Sequence, residues 1–310
     1  MAPHLDPVSA IVFPGGFNWP IWVAQDKGYF ADGGIEVALT PTPNSVFQLT
    51  NLIEGKFDIA HTAIDNVVAY MEGQGEAAVS TKPDLVVFMG GDNGFLALVT
   101  QPGITSFADL KGKTLSVDAM TTGYAFVLFD LLKRNGLSPD DYKLERAGGA
   151  LERWQALQQN KHAGTMLITP FDLMAKAAGL NVLDRAIDVY GGHYQGVVGA
   201  TRRGWAAENP KKLEAYVRGY VAALAFLYNA GNRDKSIAIL RKNLPNMPAE
   251  LAAGCYTAMI GAKGFARTAE FDTDGVRKVL ELRSEYGRPQ KTLTDPARYY
   301  DPRHYEAARR

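Results

Sequence analysis

Residues 28–66 read "GYFADGGIEVALTPTPNSVFQLTNLIEGKFDIAHTAIDN". Ile35-Glu36-Val37-Ala38-Leu39 has the pattern of a strand, Val46–Glu54 that of a helix, and Phe57–His61 that of a second strand. Strand, helix and strand in so short a run form the repeating unit of an α/β fold. Gly28 can end the preceding helix in a left-handed conformation, and Gly55 can end the next one. Both "KGYF" and "EGKFD" are therefore read as structural, with Asp58 placed to bond the backbone of its turn. The second strand runs out into polar residues, His61-Thr62-Ala63-Ile64-Asp65-Asn66, and an aromatic stretch, Phe17-Asn18-Trp19, lies upstream. A polar tip of this kind is either a binding mouth or a reaction centre.

The same alternation extends outward. Strand patterns cover 10–13, 85–89, 95–100, 114–118, 143–146, 164–168 and 196–201, and helix patterns cover 19–27, 66–72, 124–135 and 151–158. Such alternation predicts α/β architecture with largely parallel sheets. After Thr201 no strand pattern remains. "ENPKKLEAYVRGYVAALAFLYNA" places Asn209 and Pro210 at a helix start, and three more helices follow before an aromatic and basic tail, "TLTDPARYYDPRHYEAARR", expected to pack along a surface.

Composition narrows the function. The 310 residues carry 33 Lys+Arg against 33 Asp+Glu, so nothing favours a polyanionic partner such as nucleic acid. No run reaches the ~18 apolar residues of a membrane span. "MAPHLDP" has no basic, then apolar, leader pattern, which leaves a cytoplasmic chain or one whose leader has been removed. The single cysteine, Cys255, forbids an intrachain disulfide and a cysteine metal cluster; its fourfold spacing with Leu251 and Met259 places it on the apolar face of a helix.

Two Gly-rich segments look like hinges: "GGDNGFLALVTQPGITSFADLKGKTLSV" and "YGGHYQGVVGATRRG". A chain that leaves one lobe near residue 100 and returns near 200 makes lobe 1 from 1–99 and 200–310 and lobe 2 from 100–199. A ligand would then sit in the cleft between them, and hinge closure is the expected motion.

Four segments carry a family resemblance: "PIWVAQDKGYFADGGIEVAL", "LTNLIEGKFDIAHTA", "GITSFADLKGKTLSV" and "ENPKKLEAYVRGY". Their order and spacing resemble the NMT1/THI5-like group of ABC-transporter substrate-binding proteins, over roughly residues 8–240. The resemblance implies a type II periplasmic binding protein fold, with two lobes, central mixed sheets, two hinge crossings and a helical C-terminal segment. It also implies a small-molecule ligand, an ABC permease as partner, a monomer and a periplasmic location. Relatives in the group bind sulfonates, taurine, nitrate or thiamine-pyrimidine precursors.

Ligands of open α/β sheets lie beyond the carboxyl ends of the strands, so the candidates follow those ends. Phe17, Asn18 and Trp19 follow the first strand, where they also suit a plain helix-entrance loop. Thr62, Asp65 and Asn66 follow the third; the last two could instead cap the next helix. Asp92 and Asn93 lie in a Gly-rich tip that equally suits a hairpin turn. In lobe 2, "VDAMTTGYAF" ends a strand at Asp118 and opens a helix at Thr121, Thr122 and Tyr124, where backbone N–H groups and hydroxyls converge. His193 and Tyr194 mark the second crossing, His193 being as well explained as a polar hinge residue. No Arg or Lys stands at the tips of strands one and three or at the lobe-2 start, whereas Asp65, Asp92 and Asp118 do. This favours a flat organic molecule with N–H or O–H donors over a strong anion.

The reading is a solute-binding component of an importer, with no catalytic residue, metal or cofactor. The ligand classes kept open are pyrimidine-like molecules, aromatic carboxylates and sulfonates. The alternative is a desulfinase- or decarboxylase-like enzyme on the same fold, drawing on His61 or His193. The cysteine chemistry of enzyme relatives does not carry over, because no cysteine stands near a candidate tip.

Overall fold

The computed structural model describes residues 4–310; Met1–Pro3, part of the stretch read for a leader and the first residues of the expected lobe 1, lie outside it. Ten strands form two five-stranded mixed sheets. The first sheet has the order β2-β1-β3-β10-β4 and comprises β1 (Asp6–Val12), β2 (Ile35–Pro41), β3 (Ile59–Ala63), β4 (Leu85–Met89) and β10 (Val197–Arg202). The second has the order β7-β6-β8-β5-β9 and comprises β5 (Leu96–Thr100), β6 (Thr114–Val117), β7 (Lys143–Arg146), β8 (Gly164–Ile168) and β9 (Asn181–Arg185). The two sheets define two lobes. The chain crosses between β4 and β5 and returns between β9 and β10.

Each lobe follows one plan. Three strands pair in parallel (β2, β1 and β3; β7, β6 and β8), and the strand that carries the chain across from the other lobe pairs antiparallel beside them. The sheets are thus mixed, where alternation alone suggested mostly parallel pairing. Strand β9 had no counterpart in the sequence patterns: it is an edge strand whose five residues are all half-buried.

Helices cover both sheets. Lobe 1 begins with α1 (Trp19–Asp26), α2 (Tyr29–Asp32), α3 (Ser45–Ile53) and α4 (Ile64–Met71), and lobe 2 adds α5 (Gly123–Arg134), α6 (Ala150–Gln158), α7 (Phe171–Ala177) and α8 (Ala186–Val189). The helical C-terminal third consists of α9 (Arg203–Glu208), α10 (Pro210–Tyr228), α11 (Arg233–Asn243), α12 (Ala252–Ile260), α13 (Thr273–Tyr286) and α14 (Arg303–Ala308). Gly28 and Gly55 hold left-handed turns at φ 76° and 82°. Asp58 differs from expectation: its Oδ2 accepts from the backbone N and the Oγ of Ser9, so it ties β3 to β1 and not to its own turn. The tail does more than lie on a surface. Tyr299 is fully buried and donates to Glu72 Oε1 at 2.9 Å, and Tyr305 donates to the Thr268 carbonyl.

Candidate functional site

Four strands end at one cavity. From lobe 1 come Phe13 and Phe17 after β1, and Ala63 and Asn66 where β3 gives way to α4; Val197 opens β10. From lobe 2 come Asp118 after β6, Ile168 ending β8, Thr122, Gly123 and Tyr124 at the start of α5, and Gly149, Ala150 and Arg153 at the start of α6. The space holds about 480 Å³ free of atoms, part of it open to solvent. Its position beyond the carboxyl ends of parallel strands is the place where α/β sheets bind ligands.

The lobes touch around this cavity. Ser45 N–H donates to Asp118 Oδ2 at 3.1 Å, and Gly149 N–H donates to the Pro43 carbonyl at 2.9 Å. Thr121 Oγ1 donates to Glu76 Oε2 at 2.8 Å, and Glu76 also pairs with Arg146. A Cβ on Gly123 would stand 2.4 Å from Asp65 Cβ, closer than side-chain carbons approach, so only glycine admits this apposition of the lobes. The arrangement is closed.

The electrostatics divide the cavity wall. Its aromatic side is Phe13, Phe17 and Tyr124. Burial pushes the Tyr124 phenol well above its usual range, so it stays a neutral donor. Arg153 is 3% exposed and has no carboxylate partner among the described residues. Its Nε and Nη2 donate to the Met166 carbonyl at 3.3 and 3.1 Å, and its Nη1 to the Gly148 carbonyl at 2.6 Å. Burial lowers its pKa, while Asp118, Tyr124 and Glu152 favour the charged form. The starts of α5 and α6 bring first-turn N–H groups and the positive ends of two helices to the same wall.

Of the residues singled out from sequence, Phe17, Asn66, Thr122 and Tyr124 line the cavity. The others do not. Trp19 is fully buried and donates its indole N–H to the Ser236 carbonyl at 3.0 Å, anchoring α1 on α11. Asn18 donates to the Phe13 carbonyl and shapes the loop after β1. Thr62 lies inside the β3–β10 ladder and accepts from Asn66 Nδ2. Asp65 is forked by Arg283 of α13, at 2.6 Å to Oδ1 and 2.5 Å to Oδ2, in a pair closed to solvent. Thr121 spends its hydroxyl on Glu76 and its carbonyl on Arg283 Nη2. Tyr194 is buried against Tyr190, with ring centroids 5.8 Å apart.

Asp92 belongs to the crossings. Its Oδ1 accepts from Gly94 N–H at 2.8 Å and Val197 N–H at 3.3 Å, and its carbonyl accepts from Gly196 N–H, so it staples the outgoing strand to the returning one. Asn93 and His193 border a separate surface depression beside Phe271 and Asp272, with His193 3.5 Å from Asp272 Oδ2. His61 is sealed in the lobe-1 core, bonded through Nε2 to Tyr216 at 2.8 Å, and burial lowers its pKa to about 3. Cys255 is buried on α12, its thiol pushed up to about 12 by burial. Sequence reasoning did not single out Gly149, Ala150, Arg153, Ile168 or Val197, and it read Asp118 as a strand-tip carboxylate without naming it a ligand contact. Asp118 had the available signal: it terminates a strand, as the other candidates did.

The family model described as NMT1/THI5 like matches residues 18–232. The chain belongs to the NMT1/THI5-like family. A 4-amino-5-hydroxymethyl-2-methylpyrimidine phosphate synthase from Schizosaccharomyces pombe is 33% identical over 140 residues, which is 43% of this chain and 36% of that protein. The NMT1/THI5-like chain thus matches little more than a third of that relative's length. Solved structures share the fold over nearly the whole chain. A Bordetella bronchiseptica RB50 protein superposes with a TM-score of 0.82 at 18% identity, covering 98% of this chain and 97% of that one. The ligand-binding component of an ABC-type import system from Staphylococcus aureus, solved with zinc bound, gives 0.76 at 13% identity, covering 98% and 99%. The alkanesulfonate-binding protein SsuA from Xanthomonas axonopodis pv. citri, bound to MOPS, gives 0.66 at 15% identity, covering 82% and 84%. The periplasmic-binding-protein-like fold is therefore shared by binding proteins, and the family also includes synthases. Among the described residues no helix is long and apolar enough to cross a membrane.

Proposed function

We propose that this NMT1/THI5-like chain is the solute-binding component of an ABC importer, a periplasmic monomer that captures a small organic molecule by closing its lobes and passes it to a permease. The observation that carries the reading is the cavity itself, walled by both lobes at the ends of β1, β3, β6 and β8. Its aromatic wall suits a flat ring, and Asp118, Tyr124 and Arg153 are its titratable groups. Among the described residues no Cys, His or Lys borders it, and its polar side chains, Asn66, Asp118, Thr122, Tyr124 and Arg153, suit the recognition of a solute. The likeness to the ABC-type component from S. aureus supports the same reading.

The kinship with the pyrimidine phosphate synthase keeps an enzyme as the second reading. His61 and His193, the residues it would draw on, both lie outside the cavity. Thermal stability measured against aminopyrimidines, aromatic carboxylates, alkyl and aryl sulfonates, taurine and nitrate tests both. A ligand at 100 times its Kd adds about 2.7 kcal/mol. A stabilising solute recovered unchanged by mass spectrometry is the expected result. A solute recovered chemically altered overturns the proposal in favour of an enzyme.

A further inference from the structure

Asp118 and Arg153 carry opposite charges into one cavity without meeting each other. No hydrogen bond or ion pair joins them; Asp118 takes its bond from Ser45, and Arg153 gives its own to two backbone carbonyls. Both keep unused capacity. A guanidinium has five N–H donors. Three of those on Arg153 are accounted for, which leaves two. On the other side, Asp118 Oδ1 is buried and has no partner among the described residues. The helix starts nearby cannot satisfy it from where they stand, since Ser45 N–H reaches only Oδ2 and the α5 and α6 N–H groups make no bond to it. A buried carboxylate oxygen without a donor is costly, and so is a second negative charge beside it.

We propose that the ligand head group is net-neutral and presents an N–H donor next to a carbonyl-type acceptor, bridging Asp118 Oδ1 and the free N–H groups of Arg153. Carboxamides, ureides and the amino–carbonyl edge of a nitrogen heterocycle have this form. Donor-free anions such as benzoate, nitrate and simple sulfonates do not: they could satisfy Arg153 but would leave Asp118 unpaired and repelled. Phe13, Phe17 and Tyr124 then receive the ring that carries the edge. This inference rests on the solute-binding reading and narrows it, and it makes Asp118 and Arg153 the residues that set specificity.

The test is a titration of the full chain at pH 7 with isosteres: nicotinamide, nicotinate and pyridine-3-sulfonate, then cytosine and benzoate. Nicotinamide and cytosine are expected to bind at least tenfold more tightly than the anions. Asp118→Asn keeps an oxygen for Ser45 N–H and removes the charge, so it should fold with a nearly unchanged melting temperature. It should also shift the ratio of nicotinate to nicotinamide affinity at least tenfold towards nicotinate. Equal or tighter binding of the anions by the unsubstituted chain overturns this inference and leaves the binding protein standing. An unchanged ratio in Asp118→Asn overturns it as well. A chain that binds none of these probes and none of the wider solute panel loses both readings together.

Discussion

Replacing Arg283 by Met should be among the most damaging single substitutions in the molecule. The guanidinium is 0% exposed and its partner Asp65 1% exposed. It forks both oxygens of Asp65, donates to the Thr121 carbonyl at 2.5 Å and to Gln74 Oε1 at 3.3 Å, and lies 4.7 Å from the Phe126 ring centre. Asp65 belongs to lobe 1 and Thr121 to lobe 2, so α13 fastens the two lobes through one side chain. Removing one member of a buried pair strands the other charge, at about 3–5 kcal/mol. Replacing both members with apolar residues removes the stranded charge. Asp65→Leu with Arg283→Met should therefore recover about half of that loss. About 1–3 kcal/mol would remain missing, because Gln74 and the Thr121 carbonyl lose their donor. Urea unfolding followed by tryptophan fluorescence measures all three variants, and a double-mutant cycle extracts the coupling. A loss below about 1 kcal/mol for Arg283→Met, or a double variant no more stable than the single one, would refute the reasoning, since exposed pairs are worth about that little.

Three further outcomes follow from the same contacts. Gly123→Ala should hold the lobes apart, because its Cβ would meet Asp65 at 2.4 Å. Ligand affinity should fall at least tenfold, and small-angle scattering should show a larger liganded radius; unchanged affinity would count against the closed geometry. Asp92 is pushed up to about 7 by burial, from 3.8. Between those values the folded chain keeps a proton that the unfolded chain loses, so the Asp92 contribution falls as pH rises. His61, lowered to about 3 from 6.5, acts in the opposite sense: below 6.5 the unfolded chain gains a proton that the folded one refuses, and stability falls with pH. Each slope is about 1.4 kcal/mol per pH unit. Asp92→Asn leaves the His61 slope unopposed, so this variant should lose more stability than the parent between pH 6.5 and 4; equal losses would remove Asp92 from the account. Cys255, buried with its thiol pushed up to about 12, should resist a thiol reagent in the native chain and react on unfolding. Rapid native labelling would contradict its burial.

The two sheets were legible because nearly every strand announced itself by local pattern. Leu85–Met89 is apolar throughout, and Gly164–Ile168 is buried throughout, with the Thr165 hydroxyl satisfied by the Ser116 carbonyl, as strands covered on both faces require. Strand β9, "NVLDR", lacks that signature because it closes an edge, where pairing with β5 and not burial defines it. The site was legible to the extent that strand ends are: Phe17, Asn66, Thr122 and Tyr124 stand at the cavity because ligand sites follow parallel strands. What sequence could not display was who answers whom. Asp65 reads as a free carboxylate at a strand tip until Arg283, 218 residues later, is seen to occupy both its oxygens. Asp92 reads the same way until Gly94 and Val197 are found on its Oδ1. Asp118 has the same local look and the opposite outcome, one oxygen bonded and the other left over. Arg153, one more charge in "LERWQ", becomes the facing cation only when α6 packs against β8. Three carboxylates at three strand tips were equivalent as sequence. Long-range pairing consumes two of them and leaves Asp118, with its unclaimed oxygen, as the one able to select a ligand.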